Sequence, residues 1–423
     1  RPLPIPNHAS QMAAPGEQAP LLDKPLDLVG VVLTFVLAGG VYMLGPVPVS
    51  LAVIAQHKVG SSPSSSAEFS QEEMSRCQSL FWIGWAASSL LIMPVADRFG
   101  RKVSYLLLLA AYLVFTGVLV LSKSVGLYAL SMFVMGFANS AGQIGYLIMQ
   151  ESIPERFWVA AVAALNVAYS SVGLLIAGLG ATLAHGLSWR AEMLWWHIPY
   201  AAILLAGPMV LSESPTYTKA DPGGGPDSKS STDSERPSVL RQLWCDPTLR
   251  VRMLATLPPW VAVVIGYYGL SFSAGNISPD FYTNLALLYA TDAVSYALAG
   301  PIIGALGSRA AQILAFLFTA LQLVLVAALP AGTWRLAMSL LGRFSLDAAF
   351  STVYLQLVQC FPPECRATAL GTASFFARGA GAMTPLFAVM RAESCALMMA
   401  AFCLLASASS WALPETAGGE RRP

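Results

Sequence analysis

Long apolar runs separated by short polar connections make up most of this chain. A helix needs about 20 mostly apolar residues to cross roughly 30 Å of hydrocarbon, because each residue advances the helix by about 1.5 Å. Runs of this kind lie near 28–54, 79–97, 103–121, 125–150, 157–184, 191–212, 253–275, 281–303, 310–329, 333–358, 367–390 and 393–413. The pattern predicts an all-α membrane protein with twelve transmembrane helices.

One polar stretch divides these runs into two sets of six. Residues 213–250 are rich in Gly, Pro, Ser and charge, and they carry no apolar period that could bury a core. We therefore predict a six-helix bundle at 28–212, a cytoplasmic linker at 213–250 and a second six-helix bundle at 251–413. The tails at 1–27 and 414–423 are predicted to be cytoplasmic.

Composition supports a membrane protein and argues against an enzyme. The 423 residues are 56% hydrophobic and 11% charged, whereas soluble domains carry about 25% charged residues. A net charge of +1 argues against nucleic-acid binding, and the six cysteines form no C-x-x-C pair. The four histidines are scattered, so no catalytic or metal-binding set can be assembled and no cofactor is predicted. Without a nucleotide-binding loop, any transport would use ion or solute gradients.

The distribution of Lys and Arg predicts the orientation in the membrane. With both termini inside, sixteen basic residues fall in the cytoplasmic segments and six in the outer ones. Cytoplasmic loops of membrane proteins carry such an excess of basic residues, so both termini are predicted to be cytoplasmic.

The connection between the second and third runs is short and highly charged. Four charged residues fall within six positions: Asp97, Arg98, Arg101 and Lys102. Gly100 permits the tight bend that such a connection needs. The segment from Pro94 to Lys102 resembles the signature loop of the major facilitator superfamily, with Met93 in place of the leading glycine.

This resemblance implies two parallel halves that rock about a site at the bilayer midplane. After the eighth run, Gly307 and Arg309 align with Gly100 and Lys102, while Gly304 takes the acidic position. The resemblance also implies a cytoplasmic gate that holds the outward-open state and includes Asp97, Arg98, Gly100, Arg101, Lys102, Glu151, Arg156, Glu213 and Arg366.

Further motifs resemble those of solute carrier family 22, the organic anion and cation transporters. They are YYGLSFSAGNIS at 267–278, ESP at 213–215, CDPTLR at 245–250, the run at 361–386 and LPET at 413–416. Only about two dozen residues, 55–78, separate the first two spans, whereas that family carries a long glycosylated outer loop there. The sequence therefore resembles an atypical member that lacks this loop.

Four ionisable residues fall inside predicted spans, where a charge is costly and is normally partnered: Asp292, Arg343, Asp347 and Arg378. Arg343 and Asp347 are four residues apart on one helix and able to pair. Arg378 has no acid three or four residues away, and by resemblance it stands where anion carriers have arginine and cation carriers have aspartate. It would bind a carboxylate or sulfate; the alternative is that it neutralises Asp292 or Asp347.

Aromatic residues are predicted to line a cavity around Arg378, because flat walls accept amphipathic ions of varied shape. The resemblance indicates Trp260, Tyr267, Tyr268, Phe350 and Tyr169 as this lining. Tyr296 stands where anion carriers place a lysine, so affinity for small dianions should be weak.

The leading hypothesis is a secondary transporter or exchanger of small organic anions. It would act as a monomer in the lipid bilayer, and the family default is the plasma membrane. Departures from the family pattern at Met132 and Gln359 leave a second hypothesis open, a transport-deficient binding or receptor-like protein of the same fold. A third is an organic cation carrier that uses Asp292 or Asp347.

Overall fold

The described part of the chain is helical throughout. A computed structural model describes residues 28–60, 69–152, 158–183, 186–213, 243–273 and 281–414. Its elements are α-helices and one short 3-10 helix, which confirms the predicted all-α class.

Each predicted apolar run overlaps one helix or a pair of consecutive helices. Those before residue 213 are α1 (Leu28–Met43), α2 (Pro46–Gly60), α3 (Gln71–Phe99), α4 (Arg101–Leu121), α5 (Val125–Ala138), α6 (Ala141–Ser152), α7 (Trp158–Ala181), α8 (Trp189–Trp196) and α9 (Ile198–Val210). Those after residue 243 are α10 (Pro247–Phe272), α11 (Phe281–Leu306), α12 (Ser308–Ala328), α13 (Thr333–Cys360), α14 (Pro363–Gly381), the 3-10 helix Thr384–Ala388 and α15 (Ala392–Ser410).

Nine of the described helical stretches are long and apolar enough to cross a membrane. Helices α3, α13 and α14 fall outside this set by the same measure. In α13 and α14 ionisable residues such as Arg343 and Arg378 interrupt the apolar sequence. Ionisable residues at such positions normally face the interior of the bundle and have a partner there.

The second apolar run lies in a helix that begins well before the run does. Helix α3 starts at Gln71, eight residues ahead of the predicted start. The Ser70 hydroxyl accepts a hydrogen bond from the Glu73 amide at 3.1 Å, and the Glu73 carboxylate accepts one from the Ser70 amide at 2.9 Å. This capping box explains the early start, which apolarity alone does not reveal.

Glycine turns begin the corresponding helices α4 and α12. Gly100 has a φ of 98° and Gly307 a φ of 81°, and each residue directly precedes its helix. This backbone region favours glycine because it has no Cβ. The alignment of these two glycines in sequence therefore corresponds to a shared backbone conformation.

Helices pack within each half and across the division between them. In the first half α3 packs on α5 and α1 on α6, and in the second α12 packs on α13 and α15. The main contacts between the halves are α7 with α11 and α3 with α14. These two helix pairs therefore frame any site shared by both halves.

Helices α3 and α5 approach each other through glycine. A Cβ added at Gly84 would overlap the Phe133 carbonyl, and one added at Gly136 would overlap the Phe81 carbonyl. Small residues commonly permit such close backbone contact between membrane helices.

We predict that Gly84→Ala or Gly136→Ala destabilises the protein by about 1–3 kcal/mol, because the backbones must separate to admit the methyl group. Thermal unfolding in detergent measures the effect. Gly117→Ala is the control, because nothing lies within 4 Å of the position its Cβ would take. An equal loss in the control variant would contradict the explanation.

Candidate functional site

Arg378 extends from α14 towards the first half. Its side chain is buried, and Nη1 donates a hydrogen bond to Ser89 Oγ at 3.0 Å. The guanidinium carbon lies 4.4 Å from the centroid of the Trp85 ring. The Gln143 amide, oriented with its oxygen towards Arg378, accepts from Nη2 at 2.5 Å and from Nη1 at 3.2 Å. Arg378 therefore bridges α14 to α3 and α6.

The charge of Arg378 is held by neutral groups. No acidic side chain in the described ranges forms an ion pair with it. The alternative that it neutralises Asp292 or Asp347 is therefore wrong, because its donors are directed at the opposite half. A desolvated cation–π contact such as that of Arg378 with Trp85 contributes about 2 kcal/mol. Because its hydrogen-bond acceptors are neutral, the positive charge of Arg378 is not neutralised.

Four of the predicted lining residues belong to one aromatic group in the second half. The Tyr267 ring lies 4.9 Å from Tyr268 and 6.1 Å from Phe350. Tyr354, which the sequence analysis missed, completes the group, because its ring lies 4.5 Å from Trp260 and 5.6 Å from Phe350. The residues come from α10 and α13, which pack together.

The first half supplies a facing aromatic wall. Trp82 lies 5.5 Å from Trp85 on α3 and 4.5 Å from Tyr268 across the division between the halves. Tyr42 lies 6.1 Å from the predicted residue Tyr169. Sequence reasoning missed Trp82, Trp85 and Tyr42, because an aromatic residue in an apolar helix carries no sign of which neighbour it faces.

Open space and unused donors occur beside this wall. Tyr354 is 40% exposed, although it lies among Trp260, Phe350 and Arg378 inside the bundle. The buried indole nitrogens of Trp85 and Trp260 find no hydrogen-bond acceptor among the described residues. The site therefore combines a guanidinium with two free N–H donors, which suits a ligand that accepts hydrogen bonds.

Arg343 pairs with Asp292 on the neighbouring helix α11. Nε donates to Oδ1 at 2.7 Å and Nη2 to Oδ2 at 3.0 Å, and both side chains are fully buried. Tyr267 Oη donates to Asp292 Oδ2 at 2.6 Å. The pairing of Arg343 with Asp347 that the spacing suggested is therefore wrong. A facing carboxylate meets both edges of the guanidinium fork, which gives a stronger arrangement than a single contact.

Asp347 and Tyr296 lie beside this ion pair. Asp347 is fully buried, and neither carboxylate oxygen accepts a hydrogen bond from the part of the chain that the structure describes. Tyr296, half-buried on α11, interacts electrostatically with Asp347 and Asp292. Tyr296 is thus associated with the acidic residues, whereas Trp85 and Ser89 surround Arg378.

The structure describes part of the predicted gate. The Glu213 carboxylate accepts hydrogen bonds from the backbone amides of Arg101 and Lys102, at 2.9 and 3.0 Å, where α4 begins after Gly100. An anion at a helix N-terminus is stabilised by these free amides and by the helix dipole. Lys102 Nζ also donates to the Pro208 carbonyl at 3.1 Å. The remaining predicted gate side chains lie outside the described residues: Asp97, Arg98, Glu151, Arg156 and Arg366.

At the opposite end, which the topology prediction places outside, the two halves touch. The His57 ring stacks on Phe281 with 3.9 Å between centroids. Gln56 donates to the Pro385 carbonyl at 3.3 Å. Deeper in the bundle, the hydroxyls of Ser50 and Tyr289 are 2.6 Å apart. Movement of the halves at this end would have to break these contacts.

Comparison with known sequences identifies a family. The model of the family described as Major Facilitator Superfamily matches residues 30–385. Solute carrier family 22 member 15 of Xenopus tropicalis is 26% identical over 380 residues, which cover 81% of this chain and 70% of that protein. Organic cation/carnitine transporter 2 of Homo sapiens is 22% identical over 370 residues, which cover 80% of this chain and 66% of that protein. The expected resemblance to solute carrier family 22 is confirmed.

Comparison with solved structures supports the same fold. A D-xylose-proton symporter aligns with a TM-score of 0.73 at 16% identity, covering 92% of this chain and 99% of that one. The xylose transporter XylE from E. coli, in an inward open conformation, aligns with a TM-score of 0.69 at 14% identity, covering 92% and 97%. The predicted major facilitator fold is confirmed.

The Asp292–Arg343 pair generates a prediction about stability. Asp292→Asn should destabilise the protein by about 3–5 kcal/mol, because it leaves a buried guanidinium without its carboxylate. The double variant Asp292→Asn with Arg343→Met should recover most of that loss, because neither charge remains. Thermal unfolding of the two variants in detergent provides the measurement. A double variant no more stable than the single one would contradict this assignment.

Proposed function

This chain belongs to the Major Facilitator Superfamily, and from that membership we propose that it carries small organic anions across a lipid bilayer by alternating access. Chains of this family are transporters, and the named relatives are solute carriers and organic cation transporters. The observation that carries the choice of anion is the buried guanidinium of Arg378, which has no acidic partner in the described ranges.

The charges near the site favour an anion over a cation. Asp292 is already neutralised by Arg343 and hydrogen-bonded by Tyr267. Arg378 instead keeps its positive charge among neutral groups, in an environment where a carboxylate, sulfate or sulfonate would form charge-assisted hydrogen bonds with it. The unused N–H groups of Trp85 and Trp260 would add to this attraction.

The aromatic walls support a ligand with an apolar body. Rings from both halves pack against one another near Arg378, and they supply apolar area without requiring one hydrogen-bond pattern. An aromatic anion would place its charged group at Arg378 and its ring between Trp82 on α3 and Tyr354 on α13.

A mechanism follows from the contacts of Arg378. The guanidinium belongs to the second half, but its hydrogen-bond partners Ser89 and Gln143 belong to the first. An incoming anion would compete with these two neutral acceptors for the same N–H groups. Binding would therefore weaken a link between the halves and favour their relative movement. The contact of Glu213 at the start of α4 belongs to the predicted cytoplasmic gate.

We also propose the division of the chain, its orientation, its oligomeric state and its membrane. We place the first bundle at 28–212, the linker at 213–250 and the second bundle at 251–413, with both termini cytoplasmic. Action as a monomer in the plasma membrane completes the proposal.

An organic cation carrier is the second candidate, favoured by the buried carboxylate of Asp347, which has no hydrogen-bond donor. Two probes with the same ring and opposite fixed charge distinguish the candidates: benzenesulfonate and phenyltrimethylammonium. Uptake of benzenesulfonate into vesicles containing the protein supports the anion carrier, and uptake of phenyltrimethylammonium alone supports the cation carrier. Thermal stabilisation by a probe without uptake of either would indicate a receptor-like protein.

Arg378→Ala should reduce benzenesulfonate uptake about 10- to 100-fold, because a hydrogen bond to a charged group contributes about 1.5–3 kcal/mol. Radiolabelled uptake into proteoliposomes measures the change. Arg391→Ala is the matched control, because Arg391 is exposed at the start of α15. Undiminished uptake by Arg378→Ala would overturn the role of this residue.

A further inference from the structure

The buried acids and base on α11 and α13 do not balance in charge. Asp292 and Asp347 are two carboxyl groups, and Arg343 is the single guanidinium between them. All three side chains are fully buried. If both acids were ionised, the cluster would carry a net negative charge in a region of low dielectric constant, which is energetically unfavourable.

The contacts of Asp292 favour a carboxylate at this position. Its carboxylate accepts from Arg343 Nε at 2.7 Å, from Arg343 Nη2 at 3.0 Å and from Tyr267 Oη at 2.6 Å. A carboxylate with three donors, two of them from a cation, is strongly stabilised as an anion. The guanidinium is also used elsewhere, since Nη1 donates to the Tyr267 carbonyl and to Ser271 Oγ.

Asp347 has a different environment. Among the described residues, no N–H or O–H donor reaches either of its oxygens, and the neighbouring carboxyl group with which it interacts electrostatically is that of Asp292. Two ionised carboxylates cannot hydrogen-bond to each other, because each is only an acceptor. A proton on one of them changes the contact from repulsion to a hydrogen bond, and Asp292 is already committed to Arg343.

We propose that Asp347 is a proton-binding site and that the proton it carries is coupled to the transport cycle. In the protonated state, Asp347 donates to Asp292, and the cluster is neutral. On release of the proton to water, the Asp347 carboxylate competes with Asp292 for Arg343, which lies one helical turn away on the same face of α13.

The contacts of α11 connect this proton to movement of the halves. Tyr289 lies three residues before Asp292 on the same helix, and its hydroxyl is 2.6 Å from Ser50 Oγ in the first half. Its ring also lies against Gly173 on α7. A change in the pairing of Asp292 with Arg343 therefore acts on the helix that carries a main contact between the halves. This coupling rests on the proposed transport function, whereas the proton site does not.

The other titratable groups on the helices packed around α13 do not supply a further charge to Asp292 and Asp347. Tyr267 on α10 and Tyr296 on α11 face it, and neither is charged at neutral pH. On α12, Arg309 donates to the Leu413 carbonyl. On α14, Arg378 among the described side chains is directed at Ser89. Arg343 is therefore the cation within reach of both acids.

Infrared spectroscopy of the whole protein tests the proton site without any substrate. At about pH 8 exposed aspartates are ionised, so a protonated-carboxyl C=O band that shifts on aspartate carboxyl ¹³C labelling reports a buried aspartic acid. We expect this band in the wild type, its loss in Asp347→Asn and its retention in Asp246→Asn, which changes an exposed helix cap.

Absence of the label-sensitive band from the wild type would overturn the site, and this result does not require the variant to fold. Persistence of the band in Asp347→Asn would also overturn it.

Transport in proteoliposomes tests the coupling. Benzenesulfonate keeps its charge across the pH range, so an imposed pH gradient acts on the protein and not on the probe. We expect the gradient to stimulate uptake at least several-fold in the wild type and to have no effect on Asp347→Asn, which should still exchange benzenesulfonate at equilibrium. Equal stimulation of both proteins would overturn the coupling. No uptake of either charged probe by the wild type would instead overturn the proposed function, and the infrared result would still decide the proton site.

Discussion

A guanidinium buried within a membrane bundle must be satisfied by protein groups, because lipid offers it none, and this requirement organises the centre of the structure. Arg343 meets it with the carboxylate of Asp292 inside its own half. Arg378 meets it with a hydroxyl, an amide oxygen and an indole face from the other half. In the first arrangement the charge of Arg343 is neutralised by a carboxylate. In the second, the charge of Arg378 is not neutralised and lies at the division between the halves.

The position of these two groups explains why so many polar side chains occur in helices that must cross hydrocarbon. Arg343 on α13 and Arg378 on α14 lie on faces that pack against α11 and α3, so that the cost of their burial is offset by specific partners. Removal of one member of a buried pair would leave the other member buried and unpaired. Substitution of either residue of the ion pair is therefore expected to be destabilising. A change in protonation of a neighbouring acid is expected to alter the pairing.

The contacts between halves give this arrangement a mechanical consequence. Glycines on α7 and α14 and aromatic rings on α11 and α3 bring the halves together, with His57 and Phe281 stacked at one end and Arg378 bridging near the centre. A ligand that takes hydrogen bonds from Arg378, or a proton that alters the Asp292–Arg343 pair, acts directly on helices at this division. In the proposed mechanism, ligand binding and movement of the halves are therefore linked by side chains that serve both.

The sequence by itself determined the all-α membrane class, the twelve apolar runs and the glycine turns before α4 and α12, because these depend on local composition, length and backbone conformation. Its motifs also indicated the superfamily and selected Arg378 and the tyrosines of α10. Only the tertiary structure decided that Arg343 pairs with Asp292 and not with Asp347, that Trp82, Trp85 and Tyr354 join the candidate site, and that Asp347 has no donor in the described part of the chain. Those outcomes depend on which helix faces which. Helical spacing specifies the neighbours of a residue along its own helix, whereas its partners across the bundle follow from the packing of the whole chain.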